Sequence, residues 1–388
     1  MFAASPSRPA VDWRAAFSGG HWAEARSVLE AAVAAGQVDA STWAHLADVC
    51  RRLDDPAAAH AAADEALRRD ITNLRALMVK QDLLLQAGAG RESQVYSRGL
   101  IQHGGEGRGL PDDLAQAVRR AHEQHQRLQQ EMQSALADRL AAAGYVAGRA
   151  HPRFTHALDL STGRRRLYLP QPNGLYYPEL APMQFFPRDM FPWMERVEAA
   201  AGDMTAELSA LLENDAGFEP YLTTQPGLLN SDYPLIDSMD WSSAFLMKDG
   251  LETGLAARCP KTMAALEGVP LCRVKARSPY VMFSQLKPGA HIRPHTGGVN
   301  TRLVCHVPLI APPGCRFRVG NEVREWQAGT AWVFDDTIEH EAINTGDRTR
   351  VVLIFDVWRP ELTDEERALI AVWLETVDAF SPTPTVWE

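Results

Sequence analysis

Cysteine is scarce in this 388-residue chain: five in all, at 50, 259, 272, 305 and 315, with no Cys-x-x-Cys pair. An odd, scattered set excludes a secreted disulfide framework and a zinc knuckle, and fits a reducing compartment. Long apolar runs are missing too. No stretch approaches the roughly 18 apolar residues that a membrane-spanning helix requires. The opening Met1-Phe2-Ala3-Ala4-Ser5-Pro6 lacks a charged region followed by an apolar one, so no signal peptide is expected. A cytoplasmic protein with no membrane partner is the resulting expectation. Positive charge is not in excess either: 39 Lys and Arg stand against 49 Asp and Glu, a formal net charge of −10. Binding nucleic acid relies on a basic face that releases counterions, so no nucleic-acid partner is expected. The one dense basic cluster, Arg164-Arg165-Arg166, follows Ser161-Thr162-Gly163 and reads as a solvated hairpin tip.

What is present is globular: 46% hydrophobic and 23% charged residues, over a length that suggests two or three domains. Residues 11–105 read as helical hairpins. Alanine-rich amphipathic segments recur at Trp22–Ala35, Thr42–Leu53, Pro56–Arg69 and Asn73–Ala87. Trp43-Ala44-His45-Leu46-Ala47 aligns with Leu74-Arg75-Ala76-Leu77-Met78 after one unit of about 31–34 residues, a spacing that resembles a degenerate tetratricopeptide array. Such an array either docks a peptide or protein or serves as a cap that only stabilises its neighbour. A polar helix from Asp112 to Ala143, within residues 106–149, reads as a connector.

From residue 150 the character changes. Arg153-Phe154, Leu167–Pro170, Tyr176–Pro178 and Phe185–Pro187 read as short strands, interrupted by a helix at Trp193–Leu212. Alternating segments at Tyr280–Lys287, Thr301–Leu309, Cys315–Val319, Ala331–Phe334 and Arg350–Trp358 are divided by Gly, Pro and Asn turns, the pattern of a β-sandwich or barrel. After Pro360, Thr363-Asp364-Glu365-Glu366 is a capping box that starts a closing helix. The expected architecture is therefore N-terminal helical repeats followed by a double-stranded β-helix of jelly-roll, cupin-like type, spanning residues 150–380.

Two histidines stand out. His295 follows Pro294 and precedes Thr296-Gly297-Gly298, in what reads as a tight loop. His340 ends Phe334-Asp335-Asp336-Thr337-Ile338-Glu339-His340. Imidazoles on neighbouring strand ends can converge on a metal, and nitrogen suits Fe(II). Side chains alternate faces along a strand, so Ser284 shares a face with Met282 and Leu286, and Arg302 and His306 share one with Val304. Arg350 shares one with Val352 and Ile354. Inward charges without partners are costly, and this set is what binding a dicarboxylate inside a barrel requires. Arg350, ten residues after His340, is placed to grip the distal carboxylate of 2-oxoglutarate with a bidentate pair.

Several motifs resemble one family, the aspartyl/asparaginyl β-hydroxylases, over roughly residues 150–365. They are Arg258-Cys259-Pro260-Lys261-Thr262, Leu286-Lys287-Pro288-Gly289, Pro294-His295-Thr296-Gly297, Asn300-Thr301-Arg302-Leu303, Phe334-Asp335-Asp336-x-x-Glu339-His340-Glu341 and Asp356-Val357-Trp358-x-Pro360-Glu361-Leu362-Thr363. The resemblance implies an Fe(2+)-dependent dioxygenase that uses 2-oxoglutarate and O2 to hydroxylate an unactivated carbon. His295 and His340 would hold iron, Ser284, His306 and Arg350 would contact 2-oxoglutarate, and Arg302 would face the substrate. Gly297 stands where most oxygenases of this fold carry a carboxylate ligand. In the family water fills that position, and Asp336 is placed to orient it as a hydrogen-bond acceptor. The chain departs from animal members at Leu235–Asp240, which holds no cation, and at Val304, where they carry a second arginine. A hydroxylase or halogenase of a small amino-acid-like molecule and a non-catalytic cupin-like sensor with a protein-binding repeat are the alternatives. The expected substrate is a peptide or protein docked on the helical repeats.

Overall fold

The structure is a computed structural model that describes residues 12–36, 38–214, 217–224 and 233–380. Val11, the first residue of the expected helical region, lies outside the described residues. The chain divides into two compact units at Pro152/Arg153.

The first unit is built from α1 (Trp13–Ser18), α2 (Trp22–Ala34), α3 (Ala40–Arg52), α4 (Pro56–Arg69), α5 (Leu74–Gln86), α6 (Gly90–Gly104) and α7 (Asp112–Ala142). Asp39, Asp55 and Asn73 cap α3, α4 and α5 by accepting a hydrogen bond from a backbone N–H three residues on. Helices α2, α4 and α6 start at residues 22, 56 and 90, a 34-residue period that equals a tetratricopeptide unit. Alanines make close helix approach possible: Ala25, Ala47, Ala59, Ala63 and Ala117 are all fully buried in the core of this unit. Asp48 is buried among them and accepts from Arg75 Nη1 at 2.6 Å and Arg51 Nη2 at 2.6 Å. The helix read as a connector buries Leu114, Ala117, Val118 and Ala121 of its first turns within this unit.

α8 (Pro152–Ser161) starts at the boundary between the two units, so Arg153-Phe154 is helical and not a strand. Pro152 at the first helical position explains the difference, because its fixed φ favours a helix start. Arg164 and Arg165 do not tip a hairpin. They fold back from the end of α8 onto Asp159 at 2.8 and 3.2 Å. Leu167–Pro170, Tyr176–Pro178 and Phe185–Pro187 form no strands beyond the isolated bridge Phe185↔Phe334, and a second bridge, Leu175↔Val299, lies just before Tyr176. Prolines in each segment remove the N–H groups that a ladder needs. The expected helix at Trp193–Leu212 is two, α9 (Met194–Ala199) and α10 (Ala201–Glu213), followed by the short α11 (Pro260–Ala265) and the closing α12 (Asp364–Phe380). The capping box that starts α12 is formed: Glu366 N–H donates to Thr363 Oγ1, and Thr363 N–H to Glu366 Oε2.

Eleven strands occur among the described residues. They are β1 (Glu219–Pro220), β2 (Trp241–Lys248), β3 (Leu251–Glu252), β4 (Val281–Leu286), β5 (His291–His295) and β6 (Arg302–Ile310). The rest are β7 (Cys315–Val319), β8 (Glu322–Glu325), β9 (Trp332–Phe334), β10 (His340–Asn344) and β11 (Arg350–Trp358). One antiparallel sheet has the order β1-β2-β4-β11-β6-β9, with β3 beside β2, and the other has β5-β10-β7-β8. From β4 to β11 the chain alternates between the two sheets, apart from the β7–β8 hairpin, which is the winding of a double-stranded β-helix. Their inner faces share one core in which Leu286, Val304 and Val352 of the large sheet meet Ile292, Phe317 and Ala342 of the small one. The outer face of the large sheet, with Phe283, Leu303, Cys305, Leu353 and Phe355, packs on Met194, Val197, Met204 and Leu208 of α9 and α10.

A buried ion pair anchors the loop that leads to β10. Arg359 and Asp335, both fully buried, meet at 3.1 Å, and Asp335 Oδ1 also accepts from Thr337 N–H at 2.9 Å. Removing one member leaves an uncompensated charge in the interior. Asp335→Ala is expected to lower the barrel's urea midpoint by the equivalent of about 3–5 kcal/mol, whereas Asp364→Ala at the exposed start of α12 leaves it in place.

Candidate active site

β5 is an edge strand of its sheet, which is where a proline is tolerated. The β5–β10 register pairs His340 with His295 and Ala342 with Ile292, so one extra residue is accommodated at Arg293-Pro294. That bulge sets His295, the last residue of β5 and not a loop residue, directly opposite the first residue of β10. Their ring centroids are 4.1 Å apart at 51°. His295 Nδ1 lies 2.7 Å from the Arg293 carbonyl oxygen and His340 Nδ1 lies 3.1 Å from that of Ile338. A carbonyl only accepts, so each Nδ1 carries the proton and each Nε2 presents a lone pair. Burial holds both imidazoles below their usual pKa range, and at His340 the neighbouring His295 adds to the effect. Both rings are therefore neutral, the form that ligates metal.

Gly297 determines what else reaches this point. A Cβ there would meet Asp336 Oδ2 at 2.1 Å and its Cγ at 2.5 Å. The Asp336 carboxylate thus fills the space that a side chain at 297 would claim. Its Oδ2 accepts from Arg302 Nη2 at 2.9 Å, while its buried Oδ1 has no hydrogen-bond partner among the described residues. No cluster of three or more His, Cys, Asp or Glu able to hold a metal occurs among the described residues. A metal here would take two imidazoles from the protein and leave its other positions to co-substrate, oxygen or water. Imidazole pairs of this kind suit Fe, Zn, Cu and Ni.

The rings open onto a cavity of about 120 Å³ between the two sheets, lined also by Ser284, Arg302, His306, Asp336, Arg350 and Asp356. All seven site residues named from the sequence therefore line one cavity. Strand parity divides the neighbours as expected, with Val304 on the cavity and Leu303 and Cys305 in the outer core. Arg350 is 2% exposed, which rules out a surface ion pair with Asp347. Its guanidinium lies 4.5 Å from the Trp326 ring centroid and Nη1 donates to the Ser284 carbonyl at 3.3 Å, while Nε has no partner among the described residues. Burial without a carboxylate pulls its pKa down to about 10. His306 stands beside it, with Nδ1 unpartnered among the described residues. Burial first, and then the Arg350 charge, pushes its pKa far down. A buried cation without a counter-ion thus stands next to an unsatisfied ring nitrogen, an arrangement that is costly while it stays unpaired.

Trp326 and Asp356 are among the residues at the site to which the sequence reading gave no role. Trp326, which stacks on Arg350, follows β8 in a segment with no alternation to expose it. Asp356 sits in a quoted motif without a role, yet it is an even number of residues from Arg350 and so shares the inward face of β11. The Arg258–Thr262 motif lines no part of the cavity. Lys261 N–H, Thr262 N–H and Thr262 Oγ1 all donate to Glu207 of α10, a structural tie.

Residues 198–360, which include Tyr221–Asp356 of the cavity wall, match the family described as Aspartyl/Asparaginyl beta-hydroxylase. The human protein of that name is 33% identical over 180 residues, 45% of this chain and 24% of that protein. The ornithine lipid ester-linked acyl 2-hydroxylase of Rhizobium tropici is 32% identical over 193 residues, 48% of this chain and 64% of that protein. Human aspartate beta-hydroxylase domain-containing protein 2 is 34% identical over 134 residues, 34% of this chain and 36% of that protein. The chain thus spans less than two thirds of each of these relatives. No helix among the described residues is long and apolar enough to cross a membrane.

The packing at Gly297 gives a direct test. Gly297→Ala is expected to push Asp336 off Arg302 and cost about 1–3 kcal/mol by overpacking, read as a lowered urea midpoint. An unchanged midpoint would mean that Asp336 does not fill that space.

Proposed function

We propose that residues 198–360, which match the aspartyl/asparaginyl β-hydroxylase family, belong to an Fe(II)- and 2-oxoglutarate-dependent hydroxylase domain. The proposed target is the β-carbon of an Asp, Asn or related residue in a peptide or protein. The observation that carries this reading is the pair of facing imidazoles with free Nε2 atoms, in the same cavity as a buried guanidinium that lacks an anion. When bound together, ferrous iron, 2-oxoglutarate and O2 supply an oxidant that hydroxylates an unactivated C–H bond and release succinate and CO2.

The chain's own residues bind, orient and exclude water. His295 and His340 would hold the metal, each fixed in one tautomer by its backbone carbonyl. Arg350 pairs with the distal carboxylate of 2-oxoglutarate, backed by Trp326. His306 and Ser284 supply further polar contacts, and Trp241 Nε1–H, 3.4 Å from Ser284 Oγ, helps to orient that hydroxyl. Phe317 and Phe334 wall the co-substrate end against water, with ring centroids 4.9 Å from that of His306. Arg302 faces the substrate, and Asp336, whose Oδ1 is unpartnered among the described residues, would accept a hydrogen bond from a water in the cavity.

Anaerobic titration with Fe(II) and 2-oxoglutarate, followed by oxygen and a succinate assay against candidate peptides, tests the reading. Binding without succinate would favour the cupin-like sensor instead. Arg350→Ala is expected to raise the apparent KM for 2-oxoglutarate about 10- to 100-fold, which corresponds to the loss of a charge-assisted pair worth about 1.5–3 kcal/mol. A shift below threefold would remove Arg350 from that role.

The helical repeats are proposed to dock the peptide or protein substrate. A chain lacking residues 1–105 is then expected to show a raised KM for substrate and unchanged uncoupled 2-oxoglutarate turnover. Equal loss of both would assign the repeats a stabilising role.

A further inference from the structure

The closing helix α12 turns its charges inward and an apolar stripe outward. It packs on the barrel through Ile370 and Leu374, buried in one cluster with Val274, Trp358 and Leu362. Charged side chains of α12 tie it to the same side. Glu366 accepts from the Tyr177 hydroxyl at 3.0 Å, Glu375 from Lys275 N–H at 3.0 Å and Asp378 from Arg277 Nε at 2.6 Å. On the opposite face, Leu369, Val372, Trp373, Val377 and Phe380 are between 48% and 86% exposed, with exposed Ala368 and Thr376 among them. Spacings of three and four residues make these one stripe along the helix. None of the exposed residues from Ala368 to Phe380 is charged.

A helix that only closed the barrel would place these groups the other way, because water favours the charges and not the stripe. The stripe leaves on the order of 500–600 Å² of apolar surface open, the upper end of what a monomer exposes. Two such faces together bury about 1,000–1,200 Å², enough for a specific interface. The charges at the helix ends fit an antiparallel, two-fold pairing. Asp364 and Glu365 are exposed at its start, while Arg273 and Lys275 are exposed on the loop tied to Glu375 and Asp378 near its end. A half-turn about Val372 and Trp373 brings the acids of each copy toward the cations of the other. A membrane surface fits less well. Interfacial helices are rich in Lys and Arg, whereas α12 carries five acids and one arginine. Residues 381–388 offer only Val386 and Trp387 as large apolar side chains to cover the stripe. α12 also lies beyond residue 360, where the match to the hydroxylase family ends.

We infer that α12 is a homodimer interface, in which the stripe of one copy packs antiparallel on that of a second. Sedimentation velocity of the full chain at about 10 μM is expected to show twice the mass of one chain, since interfaces of this size reach micromolar affinity or better. Trp373→Glu is expected to sediment as a single copy with unchanged far-ultraviolet circular dichroism. If that variant fails to fold, Val372→Cys decides, because the five native cysteines are buried. A short bismaleimide is expected to join two copies through Cys at 372, near the two-fold axis, and not through Val323→Cys on the exposed face of β8. A wild-type chain that stays a single copy overturns the inference, as does a dimer that Trp373→Glu leaves intact. In the single-copy case, co-sedimentation with phosphatidylglycerol vesicles assigns the stripe to a lipid surface. Appearance of a dimer on removing residues 381–388 assigns it to that segment.

Discussion

Two backbone carbonyls govern the chemistry of this barrel. By accepting from His295 Nδ1 and His340 Nδ1, those of Arg293 and Ile338 fix which nitrogen each ring offers. The β5–β10 register then sets the two rings beside each other, with centroids 4.1 Å apart. Everything else at the site is arranged around that point. The bulge at Arg293-Pro294 sets the register, and the Arg359–Asp335 pair holds the loop before His340. The absence of a Cβ at Gly297 lets Asp336 approach. A slip of one residue along β5 would turn His295 to the other face of its sheet and dissolve the site.

The cavity is electrostatically divided. Its Arg350 end is a buried cation with an aromatic backing and no counter-ion, costly to maintain in an empty protein and repaid on binding an anion. Its other charged residues, Arg302, Asp336 and Asp356, include an ion pair between the first two. Burial amplifies both, because in a space shielded from water each unpaired group interacts more strongly with whatever enters.

Much of this was legible in the sequence because strand alternation is a strict rule. The inward set Ser284, Arg302, His306 and Arg350 followed from parity on β4, β6 and β11, and Cys315–Val319 and Arg350–Trp358 were delimited to the residue. Asp356 obeys the same parity but sits among apolar neighbours in a motif, where its charge drew no separate notice. What failed depended on tertiary context. The proline-bearing segments between residues 167 and 187 have aromatic, strand-like composition, yet they are loops that give single hydrogen bonds to the site, such as Gln171 N–H to the Thr337 carbonyl at 2.7 Å. β2, with Trp241, was not anticipated, because Ser242 and Ser243 are buried polar residues that blur its pattern. The bulge in β5 was hidden for a different reason: a register shift is a property of two strands, and neither sequence alone records it.

The central claim is that two imidazoles share one ion through their Nε2 atoms. The most direct measurement is a crystal structure of the protein grown anaerobically with Fe(II), with anomalous diffraction collected at the iron edge. One anomalous peak bonded to the Nε2 atoms of both His295 and His340, next to Gly297, is the predicted result. A peak elsewhere, or iron bound through only one of the two rings, would contradict it.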